Sequence, residues 1–239
     1  MDLAIIQALH RLVTTNPLLF QTCLFMTERL PWVISATILV ALWFTGKPDD
    51  RAQAGELTQT ESRRRALLIA AGAVTIFIIV RMLSEWIARP SPLESLVLSA
   101  PVDPRAWADI VSANSRSRSF PADQVAFWFA IVGGLWRHNR RTGIMAAAGA
   151  FVLGAVRVGL GFAWASDVLA GAVLGILASV LVFALRPRLA WFTNPTVEIY
   201  KTFPAIAYGL SLLFLLDLTH ALTWQFGAIA SFLNIRGGP

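Results

Sequence analysis

The stretch from Arg157 to Gly175, RVGLGFAWASDVLAGAVLG, holds an arginine and an aspartate, Asp167, ten positions apart between two apolar segments. The segments 143–162 and 168–185 each predict a helix long enough to span a membrane, joined by a turn at 163–166. Arg157 falls in the last turns of the first helix, where a charge is costly unless it faces protein or water. Arg157 is therefore a candidate functional residue.

Asp167 has two compatible interpretations. With Ser166 it can cap the N-terminus of the following helix, because side-chain oxygens there accept hydrogen bonds from free backbone N–H groups. It can also be a carboxylate that orients a neighbouring functional group. The residues alone leave both roles open.

The composition is that of an integral membrane protein. Of the 239 residues 56% are hydrophobic and 14% charged, with a mean hydropathy of +0.62, which excludes an ordinary soluble domain. The single Cys23 and three scattered histidines argue against a disulfide or a metal site, so we expect no metal or other cofactor. The net charge of +6 comes mostly from loops beside the spans, so we expect no nucleic-acid partner.

The apolar pattern predicts an all-α membrane protein with one helical bundle of six spans, 31–233, behind an amphipathic N-terminal segment, 1–30, at the membrane interface. That segment breaks at Asn16-Pro17 and lacks the features of a cleaved secretory signal. The spans are predicted near 31–45, 66–88, 121–136, 143–162, 168–185 and 204–233. Within the fifth, a stripe of small residues suits close helix packing: Gly171, Gly175 and Ser179.

The connections set the expected orientation. Many Lys and Arg residues lie in three segments that are predicted as polar loops or connectors: 45–65, 137–141 and 186–201. These segments fall on one side of the membrane, which we predict to be cytoplasmic. The proline-rich loop 89–120, with one short helix near 107–111, and the 163–166 turn then meet at the external face. The sequence favours, for this face, the periplasmic side of a bacterial inner membrane.

Arginines from several segments converge on this external face. A guanidinium group gives phosphate oxygens paired, charge-assisted hydrogen bonds, and the helix starting near Pro121 adds free N–H groups. The candidate phosphate-binding residues are Arg81, Arg89, Arg118 and Arg157. The alternative is that these arginines reach lipid headgroups or pair with acidic residues, namely Glu85, Asp109 and Asp123.

These residues resemble the motifs of the type 2 phosphatidic acid phosphatase (PAP2) superfamily, which includes undecaprenyl pyrophosphate phosphatases. Arg89-Pro90 matches the first motif, although Met82 takes the place of its lysine and Arg81 stands one residue further away. The segment 119–124, SFPADQ, resembles the second motif, Pro-Ser-Gly-His. Val156-Arg157, Ala163 and Asp167 have the spacing of the third. The resemblance covers about 81–185 and implies the six-helix PAP2 fold.

Both histidines of the family are replaced. The resemblance implies that Ala163 occupies the position of the nucleophile and Gln124 that of the general acid, while Asp167 keeps the place of the orienting carboxylate. A methyl group cannot attack phosphorus, and an amide cannot supply a proton at neutral pH. Val156 and Ala122 also replace two serines that would contact phosphate. The anion-binding half of the site remains.

Three functions stay open. The first is a catalytically degenerate protein that binds a phosphorylated lipid, such as a polyprenyl phosphate, a pyrophosphate or phosphatidate, from the external leaflet. The second is a lipid phosphatase or phosphotransferase with rebuilt chemistry, in which His220, three residues after Asp217, substitutes for a lost histidine. Alternatively, His220 has only a structural role, as a buried histidine paired with Asp217. The third is a membrane scaffold that holds a cell-envelope partner or a second copy of itself.

Overall fold

The structure of the protein, a computed structural model, describes residues 2–28, 30–51, 53, 56–96, 98, 104–114 and 118–211. Within these residues the chain is almost entirely helical. The helices are α1 (Asp2–Val13), α2 (Pro17–Glu28), α3 (Leu30–Phe44), α4 (Gln59–Ile87), α5 (Pro92–Ser95), α6 (Pro104–Asn114), α7 (Asp123–His138), α8 (Arg140–Gly159), α9 (Ala165–Ala184) and α10 (Ala190–Thr202).

The N-terminal segment divides into α1 and α2 at the expected break, where Asn16 accepts a bond from the N–H of Leu18 at 2.8 Å. One face of α1 is buried, with Ile6, His10 and Val13 directed into the protein. The pair α2 and α3 meets at an angle of 43° and together is apolar enough to form one broken span. An interfacial position for residues 1–30 stays a prediction.

The helix predicted over 66–88 begins seven residues earlier, so the predicted loop 45–65 is wrong at 59–65. Thr58 caps α4 by accepting a bond from the N–H of Glu61 at 3.1 Å. Ser62 is buried and donates to the carbonyl of Leu42 at 2.6 Å. Hydrogen bonding at the helix start thus overrides the polar composition, because the cap and α3 provide partners for these residues.

Two further predicted loops contain helices. The segment 186–201, expected as a connector, forms most of α10, and its Pro195 lies within the helix. The loop 89–120 contains α5 and α6, of which α6 includes the short helix expected near 107–111. Polar residues in both segments interrupt the apolar periodicity from which a helix is predicted.

Helix α7 lies at the centre of the bundle, between α4, α8 and α9. Nine of its 16 residues are buried, from Val125 to Leu135. The predicted small-residue stripe is confirmed as the packing surface of α9 against α7. A Cβ atom added at Gly171 would lie 2.5 Å from the carbonyl oxygen of Ala122, and one at Gly175 would lie 2.3 Å from that of Ala126.

Within the described residues, three helices starting at Gln59, Arg140 and Ala165 are long and apolar enough to cross a membrane. Counting the pair α2 and α3 as one broken span gives four. The predicted sixth span, 204–233, lies mostly outside the described residues, as do Asp217 and His220. The expectation of six spans therefore stays a prediction.

The connections gather at the two ends of the bundle as expected. At one end the 89–120 segment meets the turn before α9, with the N–H of Leu93 bonded to the carbonyl of Gly161 at 2.9 Å. At the other end Arg186 pairs with Glu61 at 3.2 Å, and Lys201 pairs with Asp49 at 2.6 Å. The candidate site lies at the first end.

Candidate anion-binding site

Arg89 is positioned by the end of α4. Ala88 adopts a left-handed conformation with φ of 54° and donates to the carbonyl of Ser84, which ends the helix and redirects the chain. The guanidinium of Arg89 then reaches the start of α9, with Nη1 at 2.5 Å from Oδ1 of Asp167 and 3.0 Å from the hydroxyl of Ser166. The rings of Trp164 and Phe120 flank it at 5.2 and 5.9 Å.

Asp167 caps its helix, one of the two roles that the sequence left open, and its carboxylate also pairs with Arg89; that it orients a functional group stays a prediction. Its side chain is fully buried. Oδ2 accepts a bond from the N–H of Trp164 at 3.2 Å at the start of α9, while Oδ1 pairs with Arg89. Its main-chain carbonyl also accepts from the N–H of Ala122 at 3.2 Å, which ties the start of α9 to the start of α7.

Arg157 projects from the last turn of α8 toward the start of α7. Its Nη1 donates to the side-chain carbonyl of Gln124. The ring of Phe162 lies 5.9 Å from its guanidinium carbon. Gln124 therefore binds the arginine through its amide oxygen.

Arg81 lies at the edge of the group of side chains around Arg89 and Arg157. It pairs with Glu85 at 3.3 Å and with Asp123 at 3.4 Å, so for this residue the alternative of pairing with neighbouring acids is observed. Asp123 in turn accepts the N–H of Gln124 at 2.7 Å. Arg118 is exposed and forms no ion pair with a described residue. The structure thus joins Arg81, Arg89 and Arg157 to one end of the bundle and leaves Arg118 at its exterior.

Ala163 closes the turn between α8 and α9 and is 1% exposed. Gly161, with φ of 81°, reverses the chain, and the N–H of Phe162 bonds the carbonyl of Arg157 at 3.0 Å. A Cβ atom at Gly161 would lie 2.7 Å from the side chain of Leu98. The turn is therefore tightly packed around the small side chain of Ala163.

The sequence did not indicate that α1 reaches this site. Asp2 accepts a bond from the hydroxyl of Ser166 at 2.9 Å, and its carboxylate lies 3.9 Å from Nη2 of Arg89. His10 bonds the carbonyl of Gly159 at 2.8 Å. The available signal was the spacing of Ile6, His10 and Val13 on one helical face, but a pattern of this kind does not name the surface it packs against.

Solved structures show what this arrangement of helices is. A phosphatidylglycerolphosphate phosphatase of PAP2 type from Bacillus subtilis superposes with a TM-score of 0.52 and 23% identity, covering 80% of this chain and 87% of that protein. LpxE from Aquifex aeolicus superposes with a TM-score of 0.51 and 19% identity, covering 74% of this chain and 94% of that protein.

The protein has the PAP2 fold.

Sequence comparison adds a shorter match. The bacitracin transport permease protein BcrC of Bacillus licheniformis is 32% identical over 83 residues, which are 35% of this chain and 40% of that relative. The match therefore spans less than half of the relative's length. No family model matches the chain.

An apolar groove opens beside the arginines of this PAP2-type bundle. It has a volume of about 460 Å³ and lies between α4, the start of α7 and α9. Its lining residues are Leu83, Phe120, Pro121, Leu169, Ala170, Val173 and Leu174. Because Phe120 also flanks Arg89, and Leu169 and Ala170 follow Asp167, the groove adjoins the polar cluster.

Proposed function

We propose that this PAP2-type membrane protein binds a phosphorylated lipid at the predicted periplasmic face of a bacterial inner membrane, without the histidine-based phosphatase mechanism of its fold family. The observation that carries the proposal is that Arg89, just after α4, and Arg157, in the last turn of α8, lie at one end of the bundle next to an apolar groove. Cationic groups beside a groove of this kind suit a ligand with an anionic head and a hydrocarbon chain.

Each part of the ligand has a counterpart. Arg89 and the hydroxyl of Ser166 offer two donor groups, and Arg157, from the last turn of α8, offers a third. The groove of about 460 Å³ would take the part of the chain next to the phosphate in a polyprenyl phosphate, a polyprenyl pyrophosphate or phosphatidate. The relatives in which this fold is known include a phosphatidylglycerolphosphate phosphatase, which supports a lipid ligand.

Ala163 and Gln124, which the motif resemblance puts at the two family histidine positions, support binding without the family's chemistry. The buried methyl group of Ala163 cannot form a phosphoenzyme, and the oxygen of Gln124 is already bonded to Arg157. General acid catalysis alone contributes about 100- to 10,000-fold to a rate. A chain that lacks both groups would have no fast route to phosphate release.

Lipid binding tests the proposal directly. The purified protein, Arg157→Ala and the control Arg186→Ala would be titrated in detergent with undecaprenyl phosphate, undecaprenyl pyrophosphate and phosphatidic acid. Arg186 pairs with Glu61 at the opposite end of the bundle and is half exposed, so its loss should leave binding within twofold. Arg157→Ala should weaken binding about tenfold or more, since it removes a charge-assisted contact.

Two results would count against the proposal. Equal binding by Arg157→Ala and the unaltered protein on all three lipids would exclude the arginine site. Release of phosphate that disappears in Arg157→Ala and in His220→Ala would instead support the alternative of a phosphatase with rebuilt chemistry.

A further inference from the structure

We infer that Asp2 occupies the position of a ligand oxygen on Arg89 and Ser166, and that α1 is a displaceable latch over the anion-binding site. The inference rests on the proposed function, because it names what a phosphorylated ligand must displace. Asp2 accepts the Ser166 hydroxyl at 2.9 Å and lies 3.9 Å from Nη2 of Arg89. A carboxylate oxygen and a phosphate oxygen accept bonds from the same donors.

The charges around the site indicate that a phosphate can bind only if a carboxylate leaves. Arg81 and Arg89 pair with four carboxylates there, while Arg157 bonds the neutral amide of Gln124. The carboxylates are Asp2, Glu85, Asp123 and Asp167. A phosphate added to this set would meet like charges at close range, which is unfavourable.

Asp2 is the carboxylate at Arg89 that can leave. Asp167 is fully buried and holds the start of α9, so its removal would disturb the fold. The side chain of Asp2 is 34% exposed and belongs to a helix of 12 residues at the edge of the bundle. Its loss from the site breaks one hydrogen bond and a long ion pair.

The docking of α1 allows this movement. On its inner face Ile6 is buried and His10 bonds the carbonyl of Gly159. On its outer face Ile5 and Leu12 are 42 and 63% exposed. A helix with apolar residues on this outer face can stay at the membrane interface after it leaves the site. Release of α1 leaves these outer residues at the membrane interface, while Ile6 and Val13 of the inner face give up their contacts with the bundle.

Gly159 provides a way to release α1 without changing a charge. A Cβ atom there would lie 2.8 Å from the side chain of Val13 and 3.1 Å from the main-chain oxygen of Leu9. Gly159→Ala should therefore push α1 outward. Gly149, on the same helix, has no atom within 4 Å of an added Cβ, so Gly149→Ala is the matched control.

The experiment measures binding of dioctanoyl phosphatidate and, in a separate arm, of inorganic phosphate to the full-length protein in detergent. The variants are Asp2→Asn, Gly159→Ala, Gly149→Ala and Arg157→Ala. Asp2→Asn and Gly159→Ala should bind phosphatidate about three- to fivefold more tightly than the unaltered protein, the range expected for loss of one partly exposed competing ion pair. Gly149→Ala should bind like the unaltered protein. Tighter binding of inorganic phosphate by the same two variants would identify the free anion as a sufficient ligand.

Hydrogen exchange of the amides in 2–13 gives an independent measurement. Saturating phosphatidate should accelerate exchange there in the unaltered protein, while Asp2→Asn should exchange fast without ligand. The latch is wrong if binding depends on Arg157 but Asp2→Asn and Gly159→Ala match the unaltered protein, or if phosphatidate slows exchange in α1. Absence of Arg157-dependent binding in every variant would overturn the proposed function itself, and the latch with it.

Discussion

The two ends of the bundle both carry basic side chains paired with acidic ones, but they bury these pairs to different degrees. At the end opposite the site, Lys201 and Asp49 pair at 2.6 Å with side chains 35 and 41% exposed. At the site, Arg89 pairs at 2.5 Å with Asp167, whose side chain is fully buried. Similar residue types and distances therefore occur in two electrostatic settings.

This difference shows which charges define the site. Exposed pairs contribute little because solvent screens them and two long side chains lose freedom. A buried carboxylate, in contrast, depends on its partner, since an unpaired charge inside a protein is costly. The buried Asp167 thus distinguishes the site from a loop that is merely rich in charges.

The largest effect should come from the buried pair. Asp167→Asn removes the charge that neutralises Arg89, and we expect a loss of about 3 kcal/mol in the free energy of unfolding. The matched change at the other end, Asp49→Asn, should cost less than about 1 kcal/mol. Equilibrium unfolding in mixed detergent and SDS micelles would measure both. Equal losses would remove the distinction between the two ends.

A smaller effect is expected from the backbone contact that supports the site. Gly171→Ala places a Cβ atom 2.5 Å from the carbonyl oxygen of Ala122, and a main-chain atom cannot rotate away. The cost should be about 1–3 kcal/mol, typical of overpacking. Gly149→Ala, which has open space, serves as the control in the same unfolding assay. Unchanged stability of Gly171→Ala would mean that the start of α9 can move freely.

The smallest effect concerns the pH dependence of the opposite end. Hydrogen bonds from Lys201 and Thr60 lower the pKa of Asp49 from 3.8 to about 2. A carboxyl with a lowered pKa in the folded state stabilises the protein fully above its ordinary pKa, and this contribution disappears as the pH falls from about 4 toward 2.

The melting temperatures of the unaltered protein and Asp49→Asn should therefore differ at pH 6 and converge near pH 2. A gap that stays constant over this range would show that the charge of Asp49 contributes nothing. The comparison uses Asp49 because it lies in a loop, outside the membrane-spanning helices.

The sequence allowed prediction of the features that depend on local composition and periodicity. The apolar segments located α8 and α9, and the four-residue spacing of Gly171 and Gly175 identified the face that packs against α7. Motif spacing led to the PAP2 fold, which the structural comparisons support. Each of these features depends on residues that are close together in the sequence.

The pairing inside the site could not be predicted in the same way. Arg89 and Asp167 are 78 positions apart, and Asp2 and Ser166 are 164 apart, so no local pattern connects them. The start of α4 was missed because Gln59–Arg65 is polar, although its capping residue Thr58 followed a known rule. Contacts of long range depend on how the helices pack, which sequence periodicity does not specify.

The shortness of α7 has a consequence for the membrane itself. Its 16 residues extend about 24 Å, whereas α4 with 29 residues extends about 43 Å and a typical hydrocarbon layer measures about 30 Å. The start of α7, where Gln124 meets Arg157, would therefore lie below the headgroup plane unless the bilayer thins around it. We expect the protein to deform thick bilayers and to prefer thin ones, so lipid chain length becomes a variable that controls access to the arginines.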